Sequence, residues 1–284
     1  MLLEEIPMRV LLLTAHTSEG EVQHRYVAKR LISEFGDSLV AIIVATGSPK
    51  SRVARIRRWW QRYSLGELAS RVMVRAVRRL TSTDQRRQAV FRQIFFPEGD
   101  DQLMPGGERV HRVASHNSPE CRALLKQYDA DVVIVYGTLI IGRKTIDACQ
   151  RPINLHTGWS PRYRGSDTIF WALHNGEPEY AGVTVHRLVQ GVDAGAILAR
   201  GRPKILDDDD EATLFAKAVK LGAELLCSSA RREAAGESRP LEQDLASGTE
   251  YRSVARSVAA ERRMLRRLAE GQLKGGLDEW REEF

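Results

Sequence analysis

Apolar positions along the chain change between two spacings, which predicts alternating strands and helices. Residues 8–15 are mostly aliphatic and are followed by polar residues, as is typical of a buried strand. Residues 21–35 carry apolar side chains at helical spacing and end at Gly36 and Asp37. Residues 39–45 are again apolar and β-branched. Strand, helix and strand joined by short polar links indicate the start of an open α/β sheet.

The same alternation returns in the second half of the chain. Ser118 followed by Pro119 is a typical helix start, and the apolar run 132–136 predicts the strongest strand. Between residue 95 and Glu120, turn residues without a clear period predict loops. Further strands are predicted at 153–156, 182–187 and 196–199, and further helices at 167–174 and after the aspartates 207–210. We therefore expect an α/β fold with a Rossmann-like, open and mostly parallel sheet.

Charge changes this picture in one segment. The 284 residues carry a net +6, but residues 51–95 hold twelve arginines against Glu67 and Asp84, a net +10, so the other 239 residues sum to −4. Helical spacing predicts an arginine-rich helical insertion at 51–95. Such a segment is compatible with contacts to nucleic acid, an acidic lipid surface or a phosphorylated substrate, and equally with a pair of solvated helices.

The chain is predicted to have a core and a short extension. Residues 8–233, including the insertion, form the expected catalytic domain. Residues 234–284 are polar at first and then carry a charged amphipathic segment at 254–268, which predicts a short and mainly helical C-terminal tail. That terminal helix either packs on its own domain or makes a homodimer.

Several protein classes lose their support in the sequence. No apolar run reaches the roughly 18–20 residues that a membrane helix needs, and acids at positions 4 and 5 stand where a signal peptide would be basic. Three cysteines without a CxxC spacing indicate neither a disulfide framework nor a zinc site. The glycine-rich dinucleotide and P-loop motifs, the HExxH pair and the GxSxG elbow do not occur. We expect a cytoplasmic protein without a transmembrane segment or a metal.

One constellation of residues suggests chemistry. Asn154 and His156 project from the same side of a predicted strand, because side chains repeat every two residues. The turn at 161–165 reverses the chain over them, and Asp193 lies in a Gly-x-Asp-x-Gly turn that permits close approach. An amide, an imidazole and a carboxylate suit attack by an amine or water on an acyl carbon. A histidine in a strand and an Asp-x-Gly turn are also common structural features.

The segment 131–197 resembles the folate-dependent formyltransferases, which include the glycinamide ribonucleotide, methionyl-tRNA and sugar N-formyltransferases. Asn154, His156, the Pro-Arg-Tyr-Arg-Gly run 161–165 and Asp193 carry the resemblance. It implies a domain that uses N10-formyltetrahydrofolate as formyl donor, with Asn154, His156 and Asp193 as catalytic residues. The implied folate-binding residues are Tyr136, Gly137, Thr138, Leu139, Ile140, Val192 and Asp193. The implied acceptor-binding residues are Trp159, Arg162, Tyr163, Arg164 and Gly165.

The sequence departs from this family in two places. The purine and tRNA members usually have His-x-Ser-Leu-Leu-Pro where this chain has His-Thr-Gly-Trp-Ser-Pro at 156–161, in the loop expected to face the acceptor. The methionyl-tRNA members also carry a C-terminal β-barrel, whereas the 51 residues after Glu233 are predicted to be mostly helical. The segment 248–252 resembles the tails of sugar formyltransferases. We expect a small, phosphorylated amine acceptor, such as a nucleotide-linked amino sugar, rather than a nucleic acid.

The proposed roles and their alternatives follow from the resemblance. Asn154 and His156 are expected to donate hydrogen bonds to the formyl oxygen. Asp193 is expected to favour a protonated His156 and to accept the proton of the amine, and His186 to support the site.

The alternative functions are formyl transfer to a glycinamide-ribonucleotide or methionyl-tRNA type of acceptor, and hydrolysis of formyltetrahydrofolate. The relatives that carry out this hydrolysis normally have a domain before the first strand. A non-enzymatic binder of nucleic acid or membrane surfaces through 51–95 is a further alternative.

Overall fold

The computed structural model describes residues 8–15, 22–47, 64–81, 83–99 and 104–284. Its strands are β1 (Val10–Ala15), β2 (Leu39–Ala45), β3 (Val110–Val113), β4 (Val132–Tyr136), β5 (Pro152–His156), β6 (Tyr163–Gly165), β7 (Val183–Arg187), β8 (Ile197–Arg202), β9 (Thr249–Tyr251) and β10 (Trp280–Glu283). Its α-helices are α1 (Val22–Phe35), α2 (Leu65–Leu80), α3 (Thr83–Phe95), α4 (Pro119–Tyr128), α5 (Arg143–Ile146), α6 (Thr168–Asn175), α7 (Glu211–Ala235) and α8 (Val258–Ala269). Within these ranges, no helix combines the length and the apolar character needed to cross a bilayer.

One large sheet organises the fold. Its strands follow the order β10-β8-β7-β5-β4-β1-β2-β3. The five strands from β3 to β5 pair in parallel, whereas β7, β8 and β10 extend the sheet by antiparallel pairing. The predicted Rossmann-like, mostly parallel α/β sheet is confirmed.

The sheet is buried on both faces, which explains its continuous apolar strands. In β1, Val10 and Leu12 lie in the core that also contains side chains of α1, α3 and α7, while Leu11 and Leu13 lie in the core that contains side chains of α4. All five side chains of β4 are buried. Parallel strands covered by helices on both faces need apolar residues at every position.

Local patterns predicted most elements close to their observed bounds. The strands at 39–45 and 132–136 were predicted without error, and the helix start at Ser118 is confirmed because its side chain accepts a hydrogen bond from the Cys121 amide at 3.2 Å. The prediction of loops between residue 95 and Glu120 was wrong for β3. This edge strand is four residues long and only its last side chain is buried, so it lacks an apolar run.

The C-terminal extension holds the predicted helix as α8 and also contributes strands. β9 pairs with β6 in parallel, and β10 pairs with β8 at the edge of the large sheet. The four residues of β10 are Trp-Arg-Glu-Glu, a sequence without an apolar pattern. Residues 234–284 are therefore joined to the sheet by backbone pairing that the local sequence did not indicate.

Helices α2 and α3 confirm the helical character of the arginine-rich insertion, while residues 51–63 lie outside the described residues. Two of its arginines join a largely buried ion cluster, which we define as Arg78, Arg87, Arg256, Asp167, Glu211 and Glu261. Arg256 lies at its centre, within 3.0 Å of carboxylate oxygens of Asp167, Glu211 and Glu261. Its guanidinium carbon also lies 3.9 Å from the centre of the Phe170 ring.

The ion cluster connects the insertion to the rest of the fold. Arg78 of α2 lies 2.7 Å from Glu261 of α8, and Arg87 of α3 lies 3.0 Å from Glu211 at the start of α7. Burial opposes ionisation of Glu211, but Arg87 and Arg256 outweigh it and lower the pKa of this carboxyl to about 2. Glu211 is therefore ionised at neutral pH and holds two arginines from different parts of the chain.

We expect Glu211→Gln to lower the free energy of unfolding at pH 7 by about 3 kcal/mol, because it removes the charge partner of Arg87 and one of the three carboxylates around buried Arg256. Folding lowers the pKa of Glu211 from 4.5 to about 2, so its carboxylate stabilises the protein fully at a pH above 4.5. This contribution is lost as the pH falls from 4.5 toward about 2. The difference between the two proteins should therefore shrink over that range. Urea denaturation at several pH values measures it.

The matched control is Glu224→Gln, since Glu224 is on the same helix and pairs with Arg281 at 2.9 Å in a half-exposed position. Its effect should stay within about 1 kcal/mol. A Glu211 variant as stable as this control would contradict a stabilising role of the ion cluster.

Candidate active site

Strands β5 and β7 position the polar residues of the site. Ile153 and Leu155 project into the larger core, so Asn154 and His156 project from the opposite side of β5, as their spacing predicted. The antiparallel register places His186 of β7 directly opposite Asn154. Asn154 and His186 therefore lie close enough to interact.

The amide of Asn154 is oriented by His186. Nδ1 of His186 lies 2.9 Å from the carbonyl oxygen of Arg187, which can only accept, so Nδ1 carries the proton. Nε2 of His186 then accepts a hydrogen bond from Nδ2 of Asn154 at 3.1 Å. This contact uses one N–H of the Asn154 amide and fixes the direction of the other.

His156 is held on both sides of its ring. Nε2–H donates to the carbonyl oxygen of Tyr163 at 3.0 Å, and Nδ1 lies 3.3 Å from Oδ2 of Asp193. The ring is buried, and a Cβ at position 158 would lie 2.2 Å from Nε2, so only glycine fits beside it. Gly158 lies in the loop at 157–160, where this sequence differs from the formyltransferases that it resembles.

Asp193 reaches the histidines from a tight turn. Its backbone has a left-handed φ of 48°, and the following Gly195 lies so close to β7 that a Cβ there would be 1.7 Å from the carbonyl oxygen of Arg187. Oδ2 of Asp193 accepts a hydrogen bond from the Gly165 amide at 2.9 Å, and Oδ1 lies 3.5 Å from Nε2 of His186. The structure thus brings the three predicted catalytic residues together.

The charges of this group follow from burial and proximity. Burial opposes ionisation of Asp193, but His156, His186 and the Gly165 amide outweigh it and hold the pKa of Asp193 well below its usual range. Burial also lowers the pKa of the His156 imidazole, and the Asp193 carboxylate only partly offsets this. At neutral pH, Asp193 is therefore ionised. Burial of the ring and the Asp193 carboxylate act on the pKa of His156 in opposite directions, so the protonated resting His156 stays a prediction.

The C-terminal extension braces the Asp193 turn. Nε2 of Gln243 donates hydrogen bonds to the carbonyl oxygens of Asp193, at 3.0 Å, and of Gly195. Arg164 donates to the carbonyl oxygen of Val192 at 3.2 Å and to that of Leu245 at 3.5 Å. Sequence reasoning missed Gln243, because nothing in its polar neighbourhood shows which turn it contacts.

All five predicted acceptor-binding residues contact other parts of the protein, and four of them do so through hydrogen bonds. The hydroxyl of buried Tyr163 donates to Glu177 at 2.6 Å, and its ring stacks on Tyr251 with centres 5.4 Å apart. Arg162 binds the same Glu177 with two hydrogen bonds of 2.9 and 2.6 Å. Arg164 is buried against the carbonyl groups described above, and the Gly165 amide binds Asp193.

Trp159 lies in an aromatic group near the edge of the sheet. Its ring centre is 5.2 Å from that of Trp280 in β10 and 5.8 Å from that of Tyr180. The guanidinium of Arg200 covers the Trp159 ring at 5.2 Å. This packing attaches the altered loop at 157–160 to the antiparallel edge of the sheet.

The predicted folate-binding segment follows β4 beside the site. Tyr136 ends β4 and pairs in register with Leu155 of β5. The next residue, Gly137, has a left-handed φ of 62°, and a Cβ there would lie 2.2 Å from the His24 ring. Leu139 and Ile140 then expose 86% and 74% of their surface. Thr138, which precedes Leu139, is half-buried. Val192, which precedes Asp193, is also half-buried.

Two residues that support this segment were not predicted. Asn117 donates to the carbonyl oxygen of Ile140 at 2.9 Å and accepts from the Gly142 amide at 2.6 Å. Nδ1 of His24 lies 2.7 Å from the Thr14 hydroxyl. The backbone after β4 is therefore held in place while its apolar side chains stay exposed, an arrangement that fits an apolar, flat ligand.

Comparison with known proteins identifies related sequences and folds. A protein-family model described as formyl transferase matches residues 80–229, just over half of the chain. The methionyl-tRNA formyltransferase of Streptococcus uberis is 36% identical over 123 residues, which cover 43% of this chain and 39% of that protein. The chain therefore spans well under two thirds of this curated relative.

Solved structures share the fold at low sequence identity. A sugar N-formyltransferase from Shewanella sp. has a TM-score of 0.55 at 12% identity, covering 92% of this chain and 87% of that chain. The glycinamide ribonucleotide transformylase 1 from Symbiobacterium toebii has a TM-score of 0.52 at 16% identity, covering 83% of this chain and 94% of that chain. These comparisons show a common fold.

We expect Asp193→Asn to lower the pKa of His156 further, because it removes the carboxylate that partly offsets burial of the ring. The substitution keeps the shape of the side chain. Titration of the His156 resonances by NMR measures the change, with Asp208→Asn, an exposed acid, as the control. An unchanged or higher pKa of His156 in the Asp193 variant would show that the two groups do not interact in solution.

We expect Gln243→Ala to lower the free energy of unfolding by about 1–2 kcal/mol, because it removes two hydrogen bonds to the Asp193 turn. Amide hydrogen exchange at 191–195 should become faster while exchange in α7 stays unchanged. Glu242→Ala, at the exposed neighbouring position, is the matched control. Equal exchange in the two variants would exclude a bracing role for Gln243.

Proposed function

Because the formyl transferase model matches just over half of the chain, the chain belongs to that family, and we propose that it moves a formyl group from N10-formyltetrahydrofolate to a primary amine. The observation that carries this proposal is the ionised Asp193 carboxylate beside His156, with the oriented amide of Asn154 close by. A carboxylate, an imidazole and an amide donor are the groups that acyl transfer to an amine requires.

The formyl donor is proposed to bind at the segment after β4 and at the Asp193 turn. The resemblance assigns Tyr136 to Ile140, Val192 and Asp193 to this role. Exposed Leu139 and Ile140 on a held backbone support it, because apolar side chains suit a flat ring system. The donor supplies an activated formyl carbon, and the residues of this chain orient that carbon toward the amine.

Asn154 is proposed to stabilise the formyl oxygen when the amine attacks. One of its N–H groups is held by His186, so the second points in a fixed direction before the reaction begins. A donor that needs no reorientation stabilises developing negative charge effectively in a site with little water. Its amide is half-buried, which keeps it accessible to a ligand.

Asp193 and His156 are proposed to handle the proton. As the new carbon–nitrogen bond forms, the ionised Asp193 takes a proton from the amine, directly or through a water. That proton lies between Oδ2 of Asp193 and Nδ1 of His156, which are 3.3 Å apart. Because both ring nitrogens of His156 are engaged by Tyr163 and Asp193, a protonated ring stabilises the negative oxygen by its charge and not by the expected hydrogen bond. The proton is returned to the folate nitrogen as the bond between that nitrogen and the formyl carbon breaks.

We propose a nucleotide-linked amino sugar as the acceptor. The sugar N-formyltransferase from Shewanella sp. shares the fold across 92% of this chain, and the loop at 157–160 departs from the pattern of purine and tRNA members. Methionyl-tRNA is the second candidate, because the curated relative from Streptococcus uberis carries that name. Half-exposed Arg162, although bound to Glu177, is the predicted residue best placed to meet a phosphate.

We expect the wild-type chain, given N10-formyltetrahydrofolate, to add one formyl group to nucleotide-linked amino sugars, as detected by mass spectrometry. Asn154→Ala should lower kcat about 10²–10³-fold, the effect of losing one oxyanion donor. Asp193→Asn and His156→Ala should be at least as damaging. Asp208→Asn should keep wild-type turnover because that acid is exposed outside the site.

The acceptor panel also contains glycinamide ribonucleotide, methionyl-tRNA and a reaction without any amine. Turnover of methionyl-tRNA alone would replace the amino sugar with the second candidate. Formate release without an acceptor would favour the hydrolase. Near-normal turnover of the Asp193 variant at neutral pH would remove Asp193 from the mechanism.

A further inference from the structure

Helix α2 exposes an apolar stripe. Leu65, Val72, Met73 and Leu80 are 69%, 67%, 59% and 86% exposed. Ala69 and Ala76 are also exposed. In a helix of 3.6 residues per turn, these six positions lie along one face over more than four turns. The stripe is continuous and consists of apolar side chains only.

The opposite face of α2 is the one that contacts the rest of the fold. Arg78 points to α8, where it pairs with Glu261 at 2.7 Å. Helical geometry places Arg71 and Val74 on the Arg78 face, and both are half-buried. An amphipathic helix normally buries its apolar stripe against the protein. Helix α2 does the reverse, so its apolar stripe faces away from the core.

The surroundings of the stripe are strongly basic. Arg75 and Arg79 are exposed on one flank of it. Helix α8, which packs beside α2, exposes three further arginines at positions 262, 263 and 266. The acids of α2 and α3 are Glu67, which binds the Ser64 amide, and Asp84, which lies 3.8 Å from Arg78.

We propose that α2 docks this protein on the surface of an anionic lipid bilayer. The apolar stripe would enter the boundary between headgroups and acyl chains, while Arg75 and Arg79 bind lipid phosphates. A stripe of apolar residues beside arginines is the pattern of helices that lie in the membrane interface. Anionic headgroups attract each basic residue near the surface. The inference is independent of the proposed catalytic reaction.

Other occupants explain less of this surface. An RNA backbone would satisfy the arginines but would leave Leu65, Val72 and Leu80 in water. A second copy of α2 would cover the stripe, but it would bring Arg75 and Arg79 toward another basic surface that offers no unengaged acid on the same helix. A lipid surface matches both the apolar stripe and the charge.

The test is flotation of the full chain with vesicles of phosphatidylcholine, alone or with about 30% phosphatidylglycerol, at about 0.1 M and about 1 M salt. A stripe variant carries Val72→Gln and Leu80→Gln, because glutamine keeps helix propensity. A charge variant carries Arg75→Glu and Arg79→Glu. Lys126→Glu with Lys144→Glu, both at exposed positions away from α2, makes the same change in charge and is the matched control.

Wild type should bind the anionic vesicles only, and binding should weaken strongly at high salt. The stripe and charge variants should each lose about tenfold or more of this binding, while the lysine control changes much less. Equal thermal midpoints would show that all variants are folded. Absence of binding to anionic vesicles, or an unchanged stripe variant, would overturn the proposal.

Two other results would assign the surface differently and also overturn it. A wild-type molar mass twice that of the stripe variant in light scattering would assign the stripe to a second copy. Binding to a single-stranded RNA that displaces the vesicles and does not depend on the stripe would assign the arginines to RNA.

Discussion

The candidate site depends on one largely buried carboxylate, that of Asp193. An ionised Asp193 would be costly in a buried position unless donors and positive groups surrounded it. Those groups come from different elements: His156 from β5, His186 from β7 and the Gly165 amide from β6. The contacts that compensate this charge therefore hold three strands and the Asp193 turn in one arrangement. The same arrangement orients Asn154 through His186, so the geometry of the candidate site and its local stability share one cause.

A second part of the chain supports this arrangement from outside the segment that the family model matches. The matched residues end at 229, whereas Gln243, β9 and β10 belong to the extension that follows. Gln243 holds the Asp193 turn, and β9 pairs with β6 beside the site. The candidate site is therefore completed by residues outside the segment that the family model matches.

The arginine-rich insertion has two kinds of arginine. Arg78 and Arg87 have acidic partners in the ion cluster and connect α2 and α3 to α7 and α8. Arg75 and Arg79 are exposed beside an apolar stripe. Net charge alone could not separate these groups, because partners such as Glu211 and Glu261 lie more than a hundred residues away in the chain. The ion pairs of Arg78 and Arg87 connect helices α2 and α3 to the fold, whereas Arg75 and Arg79 remain exposed.

The sequence by itself determined the elements whose cause is local. The apolar runs of β2 and β4, the cap at Ser118 and the two-residue spacing of Asn154 and His156 all act within a few residues, so their patterns predicted the structure. Only the tertiary structure decided the rest. Edge strands β3 and β10 depend on backbone pairing with distant strands, and Gln243 depends on a turn some 50 residues earlier. The effect of burial on the pKa of His156 likewise depends on several elements, because desolvation is a property of the folded surroundings and not of the neighbouring sequence.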